Sequence, residues 1–551
     1  MTFSIRALSP FLALAISLLF LAGCGKNETR VDSGIRDQIL HVGNGSEPPT
    51  LDPVSVTDFV SFKIMEALWE PLLDYDPVNN EMVPMAADSY DMSDDGLTYR
   101  FYLRKDAKWS NGDPVTAADF EYGIRRYLEP NNAGPYTEFF KGIRNAIAYS
   151  RGETIEATGE KLITWEDVGV KAVEEYVLQI DMEHPNLDLE IYVGNPYFYP
   201  IHRPSIEEFG AIDETKNTRW FAPGSLVTNG AFSLKSWEPN KVLVVEKNPH
   251  YWDADTVRLN EIHYYPIDNQ DTEFNSFRAG QLHITSTVPS SQMLRLKTSE
   301  DPAFRLTPFF GTYYYEFNNK QPPFDDSRVR RALAYAIDRD QIVEFIAQGN
   351  QEVARSFIPP GAGQYTPSTK FNPDLDRARE LLAEAGFPGG EGFPSTEITF
   401  NTSDAHRAIA EAVQQMWKTE LGIDVTLANQ EWKVFLETRR QGNYQIARAA
   451  WVGGLGFAGY LDIFESNSGN NNSFYSNSEF DRLVAEGARQ ASPKTRMQLF
   501  KRAEAVLLQD MPIAPIYHYT NFRMVHPAVV NFHNSPIDQR PWKYVYLAQA
   551  D

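Results

Sequence analysis

A chain of 551 residues that is 42% hydrophobic and 23% charged carries enough apolar side chain for several packed domains, which excludes both disorder and a single small domain. Its formal charge of −23 excludes a protein that holds nucleic acid through phosphate contacts, since those need a basic surface. With Cys24 as its one cysteine it can form no internal disulfide and no zinc site of several thiolates, so the fold must rest on its hydrophobic core.

Residues 1–23 read as a leader: Arg6 precedes an apolar run over 11–21 that is too short to span a bilayer. Leu21-Ala22-Gly23-Cys24 resembles a bacterial lipobox, which implies cleavage before Cys24 and lipidation there, in either membrane of the envelope. The leader takes one arginine and no acid with it, so the mature charge falls from −23 to −24. Residues 24–38 are polar and read as a tether.

Residues 40–44 then read as a first strand and 45–53 as a turn-rich loop. Phe59, Phe62, Ile64, Met65 and Leu68 have helical spacing. Leu97, Tyr99, Phe101 and Leu103 alternate with polar residues in a half-buried strand within 91–108. Thr116 caps a helix to residue 127, and 168–182, 242–246 and 262–267 are strand-like, with a short helix over 272–280.

The second half is richer in helix. Asp326 caps one, 338–349 forms another, 374–385 a third stopped by Gly386, and 403–421 a fourth stopped by Gly422. The last places His406, Ile409, Val413 and Trp417 on one face. Strands alternating with helices give an α/β fold class.

The stretch 429–461 is the unusual one. A helical turn with Trp432, Phe435 and Leu436 stops at Gln441-Gly442. A strand over 444–451 follows with Arg448 among apolar residues, and then Gly453-Gly454-Leu455-Gly456, whose backbone can take φ > 0 close to a ligand. Composition leaves two readings of Arg448 open: a core arginine paired with a buried carboxylate, or a group facing a ligand.

Catalytic signatures are absent. The chain has no Gly-x-Ser-x-Gly, no His-Glu-x-x-His and no phosphate loop ending in Gly-Lys-Ser/Thr, and Asp94-Asp95 and Glu207-Glu208 lie in polar, turn-like contexts. No catalytic, metal or cofactor site is therefore expected, and a secreted hydrolase is the remote alternative.

A set of short motifs in fixed order carries a resemblance: 44–48 (NGSEP), 50–53 (TLDP), 103–110 (LRKDAKWS), 114–117 (PVTA), 227–231 (VTNGA), 312–316 (TYYYE), 322–324 (PPF), 381–386 (LLAEAG), 401–404 (NTSD) with His406, 429–432 (NQEW) and 447–449 (ARA). Over essentially the whole mature chain the sequence resembles the dipeptide/oligopeptide-binding family of ABC-transporter substrate-binding proteins, solute-binding protein family 5.

The resemblance implies a two-lobed, three-domain periplasmic-binding-protein clamp of type II with a hinge. Domain I is expected over 39–70, 200–310 and 522–551, domain II over 71–199, and domain III, the second lobe, over 311–521. An extended peptide would add to short strand edges at Val56, Thr57 and Asp58 on one side and Trp451, Val452 and Gly453 on the other. Arg448 and His406 fall where the family engages the ligand carboxylate, and Trp432, Trp451, Tyr136 and Tyr314 on pocket-wall positions. The implied partners are a peptide or peptide-like ligand and the permease subunits in the inner membrane, met by a monomer in the periplasm.

Departures from the family pattern bear on the ligand. The aspartate that pairs with the ligand α-ammonium is replaced by Gly454, a carboxylate-binding lysine by Ile346, a facing acid by Thr57, and two disulfide cysteines by Gly311 and Val452. Either Asp462 supplies the missing carboxylate, or the ligand lacks a free α-ammonium, as a blocked, cyclic or cell-wall-derived peptide would. A metal chelate, an amphiphile or a sugar oligomer in the same clamp is the other alternative.

Overall fold

The computed structural model describes residues 28–132, 134–154, 161–215, 218–454 and 456–549; the expected leader, Cys24 and Leu455 lie outside the described residues. The expected tether is corrected at its C-terminal end. Thr29 and Asp32 form a capping box that opens a helix, Arg30–Asp37, closed by Gln38 in the left-handed region. Val31 N donates to Gly280 O at 2.9 Å, so this helix is docked on the body of the protein.

Strand β1 (Ile39–Gly43) is followed by a small hairpin, β2 (Leu73–Tyr75) and β3 (Met82–Pro84). Next come β4 (Ala87–Met92), β5 (Thr98–Leu103), β6 (Val170–Glu174) and β7 (Val177–Asp181), which form an antiparallel sheet in the order β4-β5-β7-β6. The single strand expected near 91–108 is thus a hairpin, turned at Ser93 to Gly96, where Gly96 has φ of 69°. On β5, Tyr99, Phe101 and Leu103 are buried and Arg100 and Tyr102 exposed, the alternation that burying one sheet face demands. Burying Phe101 and Leu103 contributes about 1.5–3 kcal/mol each.

The chain then lays β8 (Phe232–Glu238), β9 (Val242–Lys247) and β10 (Glu261–Tyr265) beside β1 in the order β1-β10-β9-β8, with β1 and β10 parallel. Both sheets of this first lobe share one continuous core that runs from Leu40 through Phe101 and Trp109 to Trp542.

Two long strands connect the lobes: β11 (Phe304–Phe317) leads out, and the chain returns later along its antiparallel partner. The second lobe contains β12 (Glu352–Val353), β13 (Thr396–Asn401), β14 (Val425–Gln430), β15 (Ile446–Val452) and the returning strand β16 (Ile513–Met524). Their six-stranded sheet has the order β12-β16-β11-β15-β13-β14. Helices Ser327–Tyr335, Leu375–Glu384 and Asp404–Leu421 pack apolar stripes on it, with Leu333, Leu381 and Trp417 fully buried. The helix expected over 338–349 is a short α-turn that becomes π-helical over Ile342–Ala347 and leaves Phe345 exposed. A last pair, β17 (Val529–Val530) and β18 (Tyr546–Leu547), closes the chain on the first lobe.

The β11–β16 ladder runs from Phe304 to Pro308 and again from Thr312 to Glu316, with a small register slip between Tyr313 and Tyr314 and a wider break between Pro308 and Thr312. Pro308 lacks an N–H and Gly311 lacks a side chain, so the break falls where the ladder is weakest. It is the natural bending point between lobes. Among the described residues no helix is long and apolar enough to cross a membrane, and no group of His, Cys, Asp and Glu is placed to hold a metal ion.

Candidate functional site

Asp58 caps the helix Phe59–Leu68, accepting from Ser61 N at 2.9 Å and Ser61 Oγ at 3.1 Å, and so fixes Thr57 and itself on the rim of the first lobe. Facing it, the helix Trp432–Gln441, ended by Gly442 at φ 72°, presents Lys433, Leu436, Glu437, Arg439 and Arg440. Between them lies a cavity of about 610 Å³ that also takes in Tyr136, Tyr314, Ala450, Trp451 and Asn470. Residues from both lobes thus line one space. Burial pushes the Asp58 carboxyl up to about 6.

β15 forms one wall. It pairs with β11 along its whole length, but with β13 only at Ile446 and Ala447. From Arg448 onward its other edge carries no ladder, which is the edge an extended chain can join.

Arg448 is 8% exposed and lies 4.8 Å over the Tyr313 ring. It donates to Tyr519 OH at 2.6 Å and to Asn401 Oδ1 at 3.4 Å, its Nε finds no partner, and among the described residues no carboxylate pairs with it. The neighbouring Arg439 shows the contrast: it holds Glu316 with bonds of 2.6 and 3.0 Å. The core-arginine reading describes Arg439; Arg448 has only neutral partners.

His406 stands in the first turn of the helix Asp404–Leu421, with its ring 5.6 Å from Tyr313. Burial, and then Arg448, hold the imidazole far below its ordinary value, hence neutral, and its Nδ1 has no partner. Gln430 Oε1, opposite Asn401 in the β13–β14 register, is also unpartnered. Arg448, His406 and Gln430 thus bring three unpartnered polar atoms to one end of the β13–β15 region, beside the cavity rather than among its lining residues, and atoms of this kind also occur elsewhere in the core.

The other expected residues are placed as follows. Tyr136 donates to Thr57 O at 3.3 Å and its ring lies 5.9 Å from Trp451, whose Nε1 donates to Gly459 O at 2.8 Å. Trp432 leans toward Asp58, but its indole N–H makes no well-formed hydrogen bond. Val56 is fully buried, so its side chain is core and only its backbone lies near the rim. Val452 pairs with Gly311 and is not among the residues lining the cavity, while Gly453 lies against the Tyr460 ring. Gly454 has φ of 76° with nothing within 4 Å of where a Cβ would stand.

Asp462 does not take over from the missing acid at Gly454. It is 4% exposed and is held by Lys141 Nζ at 3.4 Å in a seam where the lobes meet beyond the cavity. Lys141 also pairs with Glu465, and Arg496 with Asp188. Lys433, Leu436, Arg439, Arg440 and Asn470 were not expected from the sequence as cavity residues. The helical spacing of 432, 436 and 440 and the asparagine run at 470–472 were the available signals.

Residues 81–472 match the family model described as bacterial extracellular solute-binding proteins, family 5 middle. The periplasmic oligopeptide-binding protein of Escherichia coli is 35% identical over 93% of each chain, and the E. coli periplasmic murein peptide-binding protein 32% over 91% of this chain and 92% of that one. A solved Haemophilus influenzae oligopeptide-binding protein in complex with RPPGFSPFR superimposes with a TM-score of 0.86 at 31% identity, over 93% of this chain and 99% of that one. The E. coli murein tripeptide-binding protein gives 0.86 at 32% identity with the same coverage, and its unliganded open form 0.62 at 32%, over 93% and 97%. The lobes here therefore stand in a closed arrangement.

Proposed function

Because the chain belongs to the bacterial extracellular solute-binding proteins of family 5, we propose that it is the extracytoplasmic receptor of an ABC importer, which closes on a peptide or modified peptide and hands it to the membrane permease. It acts as a monomer with no catalytic step, in the periplasm, held to a membrane by lipid on Cys24.

The observation that carries this reading is Arg448: a buried guanidinium with only neutral partners, at the start of the unladdered edge of β15. A carboxylate supplies the missing charge, with bidentate geometry the guanidinium favours. A peptide backbone supplies the missing ladder bonds, and both ask for the same ligand, an extended peptide ending in a carboxylate.

Native mass spectrometry of the soluble chain from Gly25 onward tests it. A ladder of co-purifying masses matching mixed short peptides supports a general peptide receptor. A species with no peptide-derived mass, and no binding of free or blocked peptides afterwards, would sink the reading.

Gly454 favours a narrower second reading, in which the ligand has no free α-ammonium at that end, since among the described residues no carboxylate comes within 4 Å of the space its side chain would fill. The open space beside Gly454 makes a direct test. Gly454→Asp places an acid where the family has one, and aspartate tolerates the left-handed backbone better than most residues. After about 1–2 kcal/mol of strain it should tighten free-peptide binding about tenfold while leaving N-acetylated peptides unimproved. Titration calorimetry with matched free and acetylated peptides reads the difference, and equal gains for both would remove the charge argument.

A further inference from the structure

The seam between the lobes holds more acid than base. From the first lobe come Glu138, Lys141 and Asp188; from the second come Asp462, Glu465 and Arg496, so four carboxylates face two cations. Both cations are engaged: Lys141 by Asp462 and Glu465, Arg496 by Asp188. Glu138 is left over.

Glu138 sits in the turn Thr137–Phe140 and is 3% exposed. Its Oε1 accepts from Ser468 Oγ and Asn470 Nδ2 of the second lobe, each at 3.2 Å, and its Oε2 has no partner. Asn470 also donates to Pro135 O at 2.8 Å, which holds it over this carboxyl. On its own side Glu138 is packed near the Tyr127, Tyr136 and Tyr197 phenols, all kept neutral by burial. A cleft of about 510 Å³ reaches the seam itself, lined by Glu138, Lys141, Glu465 and Ser468 and, farther out, by Glu153, Glu183 and Asp481 with Arg151, Arg489 and His184.

We propose that closing the lobes takes up a proton on Glu138, so that ligand capture strengthens as the medium acidifies. The inference rests on the clamp reading above and adds its regulation. A carboxylate sealed with one oxygen unpartnered is far costlier than the neutral acid. The second lobe supplies its cover, and parting the lobes returns Glu138 to water.

The sign follows from the two states. In the closed form burial raises the carboxyl from the ordinary glutamate value to about 7, against the opposing charge of Lys141, and exposure to water on opening lowers it again. A group whose value rises on closure favours the closed form below its raised value, and that advantage fades as pH rises through about 7. Asp462 is raised by burial as well, with Lys141 and Arg496 opposing and Asp188 reinforcing, so it shifts the balance in the same direction.

The experiment measures the radius of gyration by X-ray scattering and the Kd for a pool of free tri- and tetrapeptides at about pH 8 and about pH 5.5, for the wild-type chain, Glu138→Gln and Asp462→Asn. The wild type should bind about tenfold tighter at the lower pH. Glu138→Gln should bind tightly at both, and Asp462→Asn should keep most of the pH dependence. An unchanged wild-type Kd, or a Glu138→Gln chain that titrates like the wild type, would overturn the proposal. If neither this pool nor its N-acetylated counterpart binds at either pH, the peptide reading fails and the radius decides: acid compaction lost in Glu138→Gln keeps the seam's role, and no acid compaction removes it.

Discussion

Arg448→Met should weaken peptide binding by about 30-fold or more, roughly 2–5 kcal/mol, without lowering thermal stability. The two halves of this prediction have one cause. Arg448 is buried among Tyr313, Tyr519 and Asn401 with no carboxylate partner among the described residues, so the protein itself leaves its charge desolvated and uncompensated. Replacing such a group by an apolar side chain of similar length removes a penalty rather than a bond, and Tm should hold or rise. In the complex the same guanidinium meets a carboxylate in a water-poor recess, and its loss leaves that carboxylate buried and unpaired. An arginine with a purely structural role would behave in the opposite way.

The control is chemical. C-terminally amidated peptides should bind the wild type weakly and lose little further affinity in Arg448→Met, because they bring no charge for the guanidinium to meet. Arg448→Lys should recover part of the affinity, as a point charge without the planar fork. If amidated and free peptides lose equally in Arg448→Met, the carboxylate assignment is wrong. His406 adds a polar group but no charge, so His406→Ala should cost less than Arg448→Met.

What was legible in the sequence was local. Thr116, Asp326, Asp374 and Ser403 precede their helices with the chemistry a cap requires, and Gly422 and Gly442 stop helices because a left-handed residue is needed there. The alternation in β5 and the order of short motifs were readable for the same reason. The distinction between Arg448 and Arg439 was not. Arg439 ends a polar helical turn and Arg448 lies among apolar strand residues, the place where a buried pair is expected, yet only the fold decides that Glu316 on β11 reaches Arg439 instead. The hinge came from the resemblance alone, with lobe boundaries at 310/311 and 521/522, because β11 and β16 are some two hundred residues apart, a pairing no local pattern encodes. Asp462 was a reasonable candidate for the lost acid by its position after the glycine loop. Nothing in the sequence places Lys141, more than three hundred residues earlier, beside it.

The largest expected effect on stability lies at Asp538, and it concerns how the hinge is held. Asp538 bonds Arg523 at 2.7 Å and Arg540 at 3.0 Å, all three buried, with the partly buried Lys63 at 3.6 Å. Arg523 is near the first-lobe end of β16, Lys63 lies on the helix Phe59–Leu68, and Arg540 belongs to the closing segment, so one carboxylate ties three elements together. At the other end of β16, Arg339 donates to Pro515 O at 2.6 Å and to Ala334 O and Ile337 O, fixing the strand to the second lobe. The return strand is thus pinned on both sides of its register break. Rigid lobes swinging about a short flexible stretch require this arrangement.

Asp538→Asn keeps the shape and removes the charge, leaving three cations facing one another, two of them buried. The expected loss is about 3–5 kcal/mol, seen as a lower Tm for the first lobe. Burial alone would raise the Asp538 carboxyl, yet Arg523, Arg540 and Lys63 hold it well below its ordinary value. Its contribution is therefore complete above the unfolded value near 3.8 and is lost only as pH falls below that, so the defect should be nearly constant across neutral pH. Adding Arg523→Met to Asp538→Asn should restore part of the stability, since one of the stranded charges goes with it. A double variant no more stable than Asp538→Asn alone would mean that lost hydrogen bonds, rather than charge balance, explain the defect. A single variant with wild-type Tm would mean that the hinge strand does not depend on this carboxylate at all.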